Sequence, residues 1–156
     1  MKAYEIRYLA VGHSYLVHNE FAGWQNKGTW GMAASEPKKD YFHRFGAYLK
    51  NELPCKLEAC AYGCASLERL CTVDATPESY RNAEDYLNFR KKLQAYRPNL
   101  VSLFFGANSV AKDPVSTELF YDEVFAMVKA NVAPGTVVLC VPMTETEPID
   151  MSMKKN

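Results

Sequence analysis

The sequence predicts an α/β fold, a flavodoxin-like parallel sheet of at least four strands in a three-layer α/β/α arrangement. Two observations carry this. Short apolar runs alternate with longer segments of helical spacing, in the order strand, loop, helix, strand, helix, strand, helix, strand. Each run also stops at a glycine or proline: Gly12, Gly63, Gly106 and Pro142. Strands linked through helices join one parallel sheet by right-handed crossovers, which puts helices on both faces. The 156 residues are read as one domain, 1–156, with a real core.

The first strand spans 5–11 and ends at Gly12. Residues 15–34 are irregular and rich in glycine and aromatic residues. A loop this long in a compact domain is usually functional or has short helices of its own. Ser35 has the chemistry of an N-cap, with Glu36 and Pro37 in the first helical turn. Tyr41, Phe42, Phe45, Tyr48 and Leu49 follow at helical spacing, and Leu53-Pro54 stops the helix. Residues 55–61 alternate as a second strand leaving through Tyr62-Gly63-Cys64, and 64–71 read as a short helical segment. Pro77 opens a helix to about Tyr96, stopped by Arg97-Pro98-Asn99. The apolar run 100–105 is a central strand. Asp113-Pro114 starts the last helix, ended by Ala133-Pro134-Gly135, and 136–141 is the last strand.

Composition excludes several classes. Lys+Arg and Asp+Glu are both 18, so no excess of positive charge suits general binding to nucleic acid or an anionic membrane. No apolar run approaches the ~18–20 residues of a membrane span. The start of the chain lacks a secretory pattern, which leads us to expect a cytoplasmic protein. The five cysteines are odd in number and read as reduced thiols. Four of them cluster between 55 and 71 without the two-residue spacing of zinc sites, so no metal and no cofactor is expected. Gly12 has neither a Gly-x-Gly-x-x-Gly nor a Gly-Lys-Ser/Thr context, so it does not suggest a nucleotide site.

Ligands of open parallel sheets bind beyond the carboxyl ends of the strands. Those ends carry Gly12-His13-Ser14, Tyr62-Gly63-Cys64 and Gly106-Ala107-Asn108-Ser109. They offer a hydroxyl, glycine backbone and a side-chain amide, the parts of a nucleophile and an oxyanion hole. Ser14 also fits a helix N-cap, and Asn108 a turn residue. Trp24 and Trp30 suit either a pocket wall or the anchoring of a long loop.

Gly12-His13-Ser14-Tyr15-Leu16 resembles the Gly-Asp-Ser-Leu block of the SGNH, or GDSL, hydrolases. Gly106-Ala107-Asn108-Ser109 resembles their Gly-x-Asn-Asp block. Trp30-Gly31-Met32-Ala33-Ala34-Ser35 is similar to a loop of a bacterial branch of that family. The resemblance implies a serine esterase acting on acyl esters, with acetylated carbohydrate as one substrate class. It makes Ser14 the nucleophile and Asn108 an oxyanion-hole donor. Gly63 supplies a further donor, with Gly31 as its alternative. Trp24, Trp30 and His13 are then expected to contact substrate.

Departures accompany the match. His13 stands where Asp or Asn is usual, and Ser109 where Asp is usual. The family's C-terminal Asp-x-x-His block is not found, since Asp150 is followed by Met-Ser-Met. The domain therefore reads as short at its C-terminus, with an exposed sheet edge suited to homodimer formation. The histidines are 13, 18 and 43. His18 would share a face with Ser14 if a helix began at the serine. His43 falls on the first long helix, and ordinary surface or packing roles are favoured for all three. Without a base, the alternative is a degenerate domain that binds a ligand or partner without turnover.

Overall fold

The structure, a computed structural model, describes residues 4–17, 30–31 and 34–141. Four parallel strands form the sheet: β1 (Tyr4–Gly12), β2 (Cys55–Gly63), β3 (Leu100–Phe104) and β4 (Val137–Cys140). Their order is β2-β1-β3-β4. The chain steps from β1 outward to β2, then crosses back to lay β3 on the other flank of β1. This makes the carboxyl ends of β1 and β3 the point where the winding reverses, the usual place for a ligand crevice in such sheets.

Register explains the burial along β1. Tyr4 to Gly12 pair with Cys55 to Gly63, whereas pairing with β3 begins only at Tyr8↔Leu100 and ends at Gly12↔Phe104. The first residues of β1 therefore have one neighbour strand and are partly exposed, while Tyr8 to Gly12 are covered. Successive side chains alternate between faces. Leu9 and Val11, with Val101 and Leu103, enter the larger core. Tyr8 and Ala10 enter a smaller one with Leu16, Leu49, Phe42 and Phe45.

The helices cover these two faces. α1 (Tyr41–Glu52) packs on the Tyr8 side. On the other side lie α2 (Ala65–Glu68), α3 (Pro77–Asn82), α4 (Glu84–Tyr96) and α5 (Pro114–Asn131). Beside α1, near β4, Val137 and Leu139 are exposed and border a groove of about 540 Å³ with Tyr48, Leu53 and Leu100. Among the described residues no helix is long and apolar enough to cross a membrane.

Two helix boundaries differ from expectation. The first long helix is capped by Asp40, not Ser35. Pro37–Lys39 form a separate 3-10 turn, and the Asp40 side chain accepts the N–H of His43 at 2.7 Å. The expected 77–96 helix is two helices, because Ala83 is extended (φ −70°, ψ 138°). A straight helix would set Tyr80 and Tyr86 roughly 120° apart around its axis. The break lets both enter the core. α3 starts with a Thr76–Ser79 capping box, and α5 with the Asp113 side chain accepting the Ser116 N–H.

Candidate active site at the carboxyl ends of β1 and β3

Gly12 brings the strand ends together. It pairs with Gly63 on one side and Phe104 on the other, and its carbonyl accepts the Cys64 N–H at 2.7 Å. A Cβ at Gly12 would lie 2.6 Å from the Phe104 carbonyl oxygen, so only glycine permits this approach of β1 to β3. The sheet stops here, and the chain reverses at His13, whose carbonyl accepts the N–H groups of Leu16 and Val17. Ser14 sits half-buried in that turn. It does not cap a helix within the described residues.

His13 turns inward and is 1% exposed. Its ring stacks on Phe104 with centroids 4.9 Å apart and meets Tyr15 edge-on. Nδ1 accepts the Tyr15 N–H at 3.4 Å, and Nε2 is buried without a partner among the described residues. Burial lowers the pKa of His13, and the nearby charge of Glu68 offsets part of that. The imidazole thus packs under the turn instead of facing solvent beside Ser14.

The loop after β3 is organised by one buried carboxylate. Glu68, at the end of α2, has no exposed surface. Its Oε2 accepts the N–H groups of Gly106 at 2.8 Å and Asn108 at 2.9 Å, and its Oε1 accepts the Asn108 side-chain amide at 3.4 Å. Gly106 reaches these bonds at φ 124°, a conformation that side chains disfavour. The loop carrying Asn108 is therefore pinned by three bonds and cannot swing freely. The Asn108 amide keeps its second N–H for another acceptor.

Gly63 ends β2, in register with Gly12. Alternate residues of a parallel strand direct their backbone groups to opposite sides. Cys64 donates to Gly12, so the Gly63 N–H faces the outer edge of the sheet. Gly31 lies between two elements of the site. Its N–H donates to Asp40 Oδ2 at 3.2 Å, and it packs against the Tyr15 carbonyl with no room for a Cβ. Trp30 is half-buried, and its indole N–H donates to the Ala34 carbonyl, which ties the ring to its own loop. Trp24 and His18 lie outside the described residues.

Two features of the site were not anticipated from sequence. A glutamate on a short helix carries no signal of burial, and only the fold brings Glu68 under the β3 loop. The second is Asp40 with His43. Asp40 is 3% exposed, and its oxygens face His43 Nδ1 at 2.8 and 2.9 Å. The signal for it was legible as Asp40-Tyr41-Phe42-His43, an acid and an imidazole three residues apart at a helix start. All five thiols are free. Among the described residues no group of three His, Cys, Asp or Glu is placed to hold a metal.

No family model, no curated protein and no solved structure matches the chain.

Proposed function

We propose that the chain is an SGNH-type serine esterase acting on acyl esters, acetylated carbohydrate among them. The observation that carries this reading is that Ser14 and the Asn108 loop follow the paired strand ends Gly12 and Phe104, at the reversal point between β1 and β3. Ser14 Oγ attacks the acyl carbon. The developing oxyanion is held by the Ser14 N–H and the Asn108 amide, donors aimed where charge appears in the transition state. Pinning of Asn108 by Glu68 supports this role, since preorganised donors need no reorientation as the reaction proceeds. The test is hydrolysis of a short p-nitrophenyl ester by the protein and by Ser14→Ala. Loss of turnover in the variant is expected, and equal rates overturn the reading.

A second reading is a ligand-binding domain without turnover. It is favoured by the orientation of the glycine donors: Gly31 N–H is bonded to Asp40, and Gly63 N–H faces the sheet edge. Saturable binding of an acylated sugar with no acyl release would select it.

A further inference from the structure

β4 is the outer strand of the sheet, and among the described residues it pairs only with β3. Its free edge is unguarded. Residues 136–141 (Thr-Val-Val-Leu-Cys-Val) carry neither the charges nor the proline that keep open edges from pairing. We infer that residues 149–153 of this chain fold back antiparallel along that edge and seat Ile149, Met151 and Met153 in the groove beside α1.

The edge suits a strand with one apolar and one polar face. The Val137 N–H donates to the Asn99 carbonyl, and the Val141 N–H to the Leu103 carbonyl. Backbone groups alternate in direction along a strand, so the N–H groups of Val138 and Cys140 point away from β3 into the open edge. Side chains alternate between faces as well. Val137 and Leu139 border the apolar groove of about 540 Å³ on the α1 side. Val138 lines a second groove of about 490 Å³ at the end of α5, and this one includes a cation, Lys129. A strand laid on β4 presents one row of side chains to each groove.

The chain that follows β4 has the matching pattern. Residues 142–156 lie outside the described residues, and within them Ile149-Asp150-Met151-Ser152-Met153 alternates apolar and polar with period two. Covalent connection to Val141 keeps this segment near the edge, and residues 141–147 exceed the length a hairpin connection requires. Pairing Leu139 with Ile149 and Val137 with Met151 puts the apolar row on the α1 side. Asp150 is then opposite Val138 on the face of Lys129, so the charges match. Met153 falls opposite Gly135, which borders both grooves and where an added Cβ would meet nothing within 4 Å. Pro148 takes the first position of the strand, where a missing N–H is tolerated. A second copy offers less: its β4 is apolar on both faces and brings no charge to Lys129.

The experiment is amide hydrogen exchange by NMR on the full chain, with sedimentation velocity on the same samples, for the wild type, Met151→Asp and Met151→Leu. The Val138 and Cys140 amides are expected to exchange about tenfold faster in Met151→Asp than in the wild type, with Met151→Leu close to the wild type and all three monomeric. The Leu139 amide, directed at β3, is expected to stay protected throughout. Fast exchange at Val138 and Cys140 in the wild type overturns the inference. Protection that Met151→Asp leaves unchanged also overturns it, since the apolar row is then not what covers the edge. A loss in Met151→Leu as large as in Met151→Asp has the same force. Protection that rises with protein concentration, together with a dimer in sedimentation, overturns it in favour of a second copy.

Discussion

Glu68 Oε2 accepts the backbone N–H of Asn108 at 2.9 Å from a position with no exposed surface. The same oxygen accepts the Gly106 N–H, so one carboxylate satisfies two backbone donors of the β3 exit. Burying a charge is costly unless such bonds surround it.

Removing that carboxylate should therefore harm stability and site geometry together. Glu68→Ala strands two backbone donors and opens a cavity, and is expected to cost on the order of 3 kcal/mol. Glu68→Gln retains one acceptor oxygen for the backbone groups and is expected to cost less, about 1–2 kcal/mol. Urea denaturation of both variants checks the ranking. Equal losses would show that the intact carboxylate is what counts, and that neither the retained side-chain volume nor one remaining acceptor oxygen lessens the cost.

Gly12 and Gly63 occupy paired positions in the sheet yet should respond differently to a methyl group. At Gly12 a Cβ meets the Phe104 carbonyl oxygen at 2.6 Å, and backbone of two central strands cannot give way. Gly12→Ala is expected to lower stability by about 2 kcal/mol. At Gly63 the nearest atom is the Val17 Cβ at 3.4 Å, an ordinary contact, and the residue is exposed. Gly63→Ala should stay within about 1 kcal/mol of the wild type. Thermal melts of the two variants make the comparison directly.

This contrast also marks what could be read in advance. The order of strands and helices was legible because β1, β3 and α5 have strong apolar patterns and their ends carry glycine, proline or Asp113. The Asp40 cap was missed because Ser35, Glu36 and Pro37 offer the same chemistry five residues earlier, and local preference alone does not choose between two competent caps. The break at Ala83 was invisible because alanine favours helix; the core's demand for both Tyr80 and Tyr86 overrides it. At the site, Ser14, Gly63 and Asn108 were placed at strand ends by sequence. The inward turn of His13 and the burial of Glu68 arise from contacts between segments distant in the chain.

Tyr8 and Ser102 share a hydrogen bond of 2.8 Å between two fully buried hydroxyls on adjacent strands. Burial raises the Tyr8 pKa well above the ordinary phenol value, so the neutral hydroxyl is the bonding form throughout the stable range. Tyr8→Phe leaves the Ser102 hydroxyl short of a partner and should cost about 1–2 kcal/mol. The double variant Tyr8→Phe/Ser102→Ala should cost less than the sum of its single variants, because neither hydroxyl is then left behind. Additive losses in a double-mutant cycle would refute the coupling.

His13 predicts how stability responds to mild acid. Its pKa in the folded protein is lowered, first by burial, with Glu68 opposing. The unfolded chain takes up a proton near the ordinary histidine value of roughly 6.5, before the folded chain does. Above that value the group imposes no penalty on folding. As pH falls from there towards the lowered folded pKa, the unfolded state is favoured and stability declines; below the folded pKa this contribution levels off. Unfolding free energies measured between pH 7.5 and about 5 should therefore fall more steeply for the wild type than for His13→Asn. Subtracting the two curves removes the carboxylates common to both. A difference that is flat with pH, or that grows in favour of the wild type as pH falls, would mean that His13 is not held neutral by its burial between Phe104 and Tyr15.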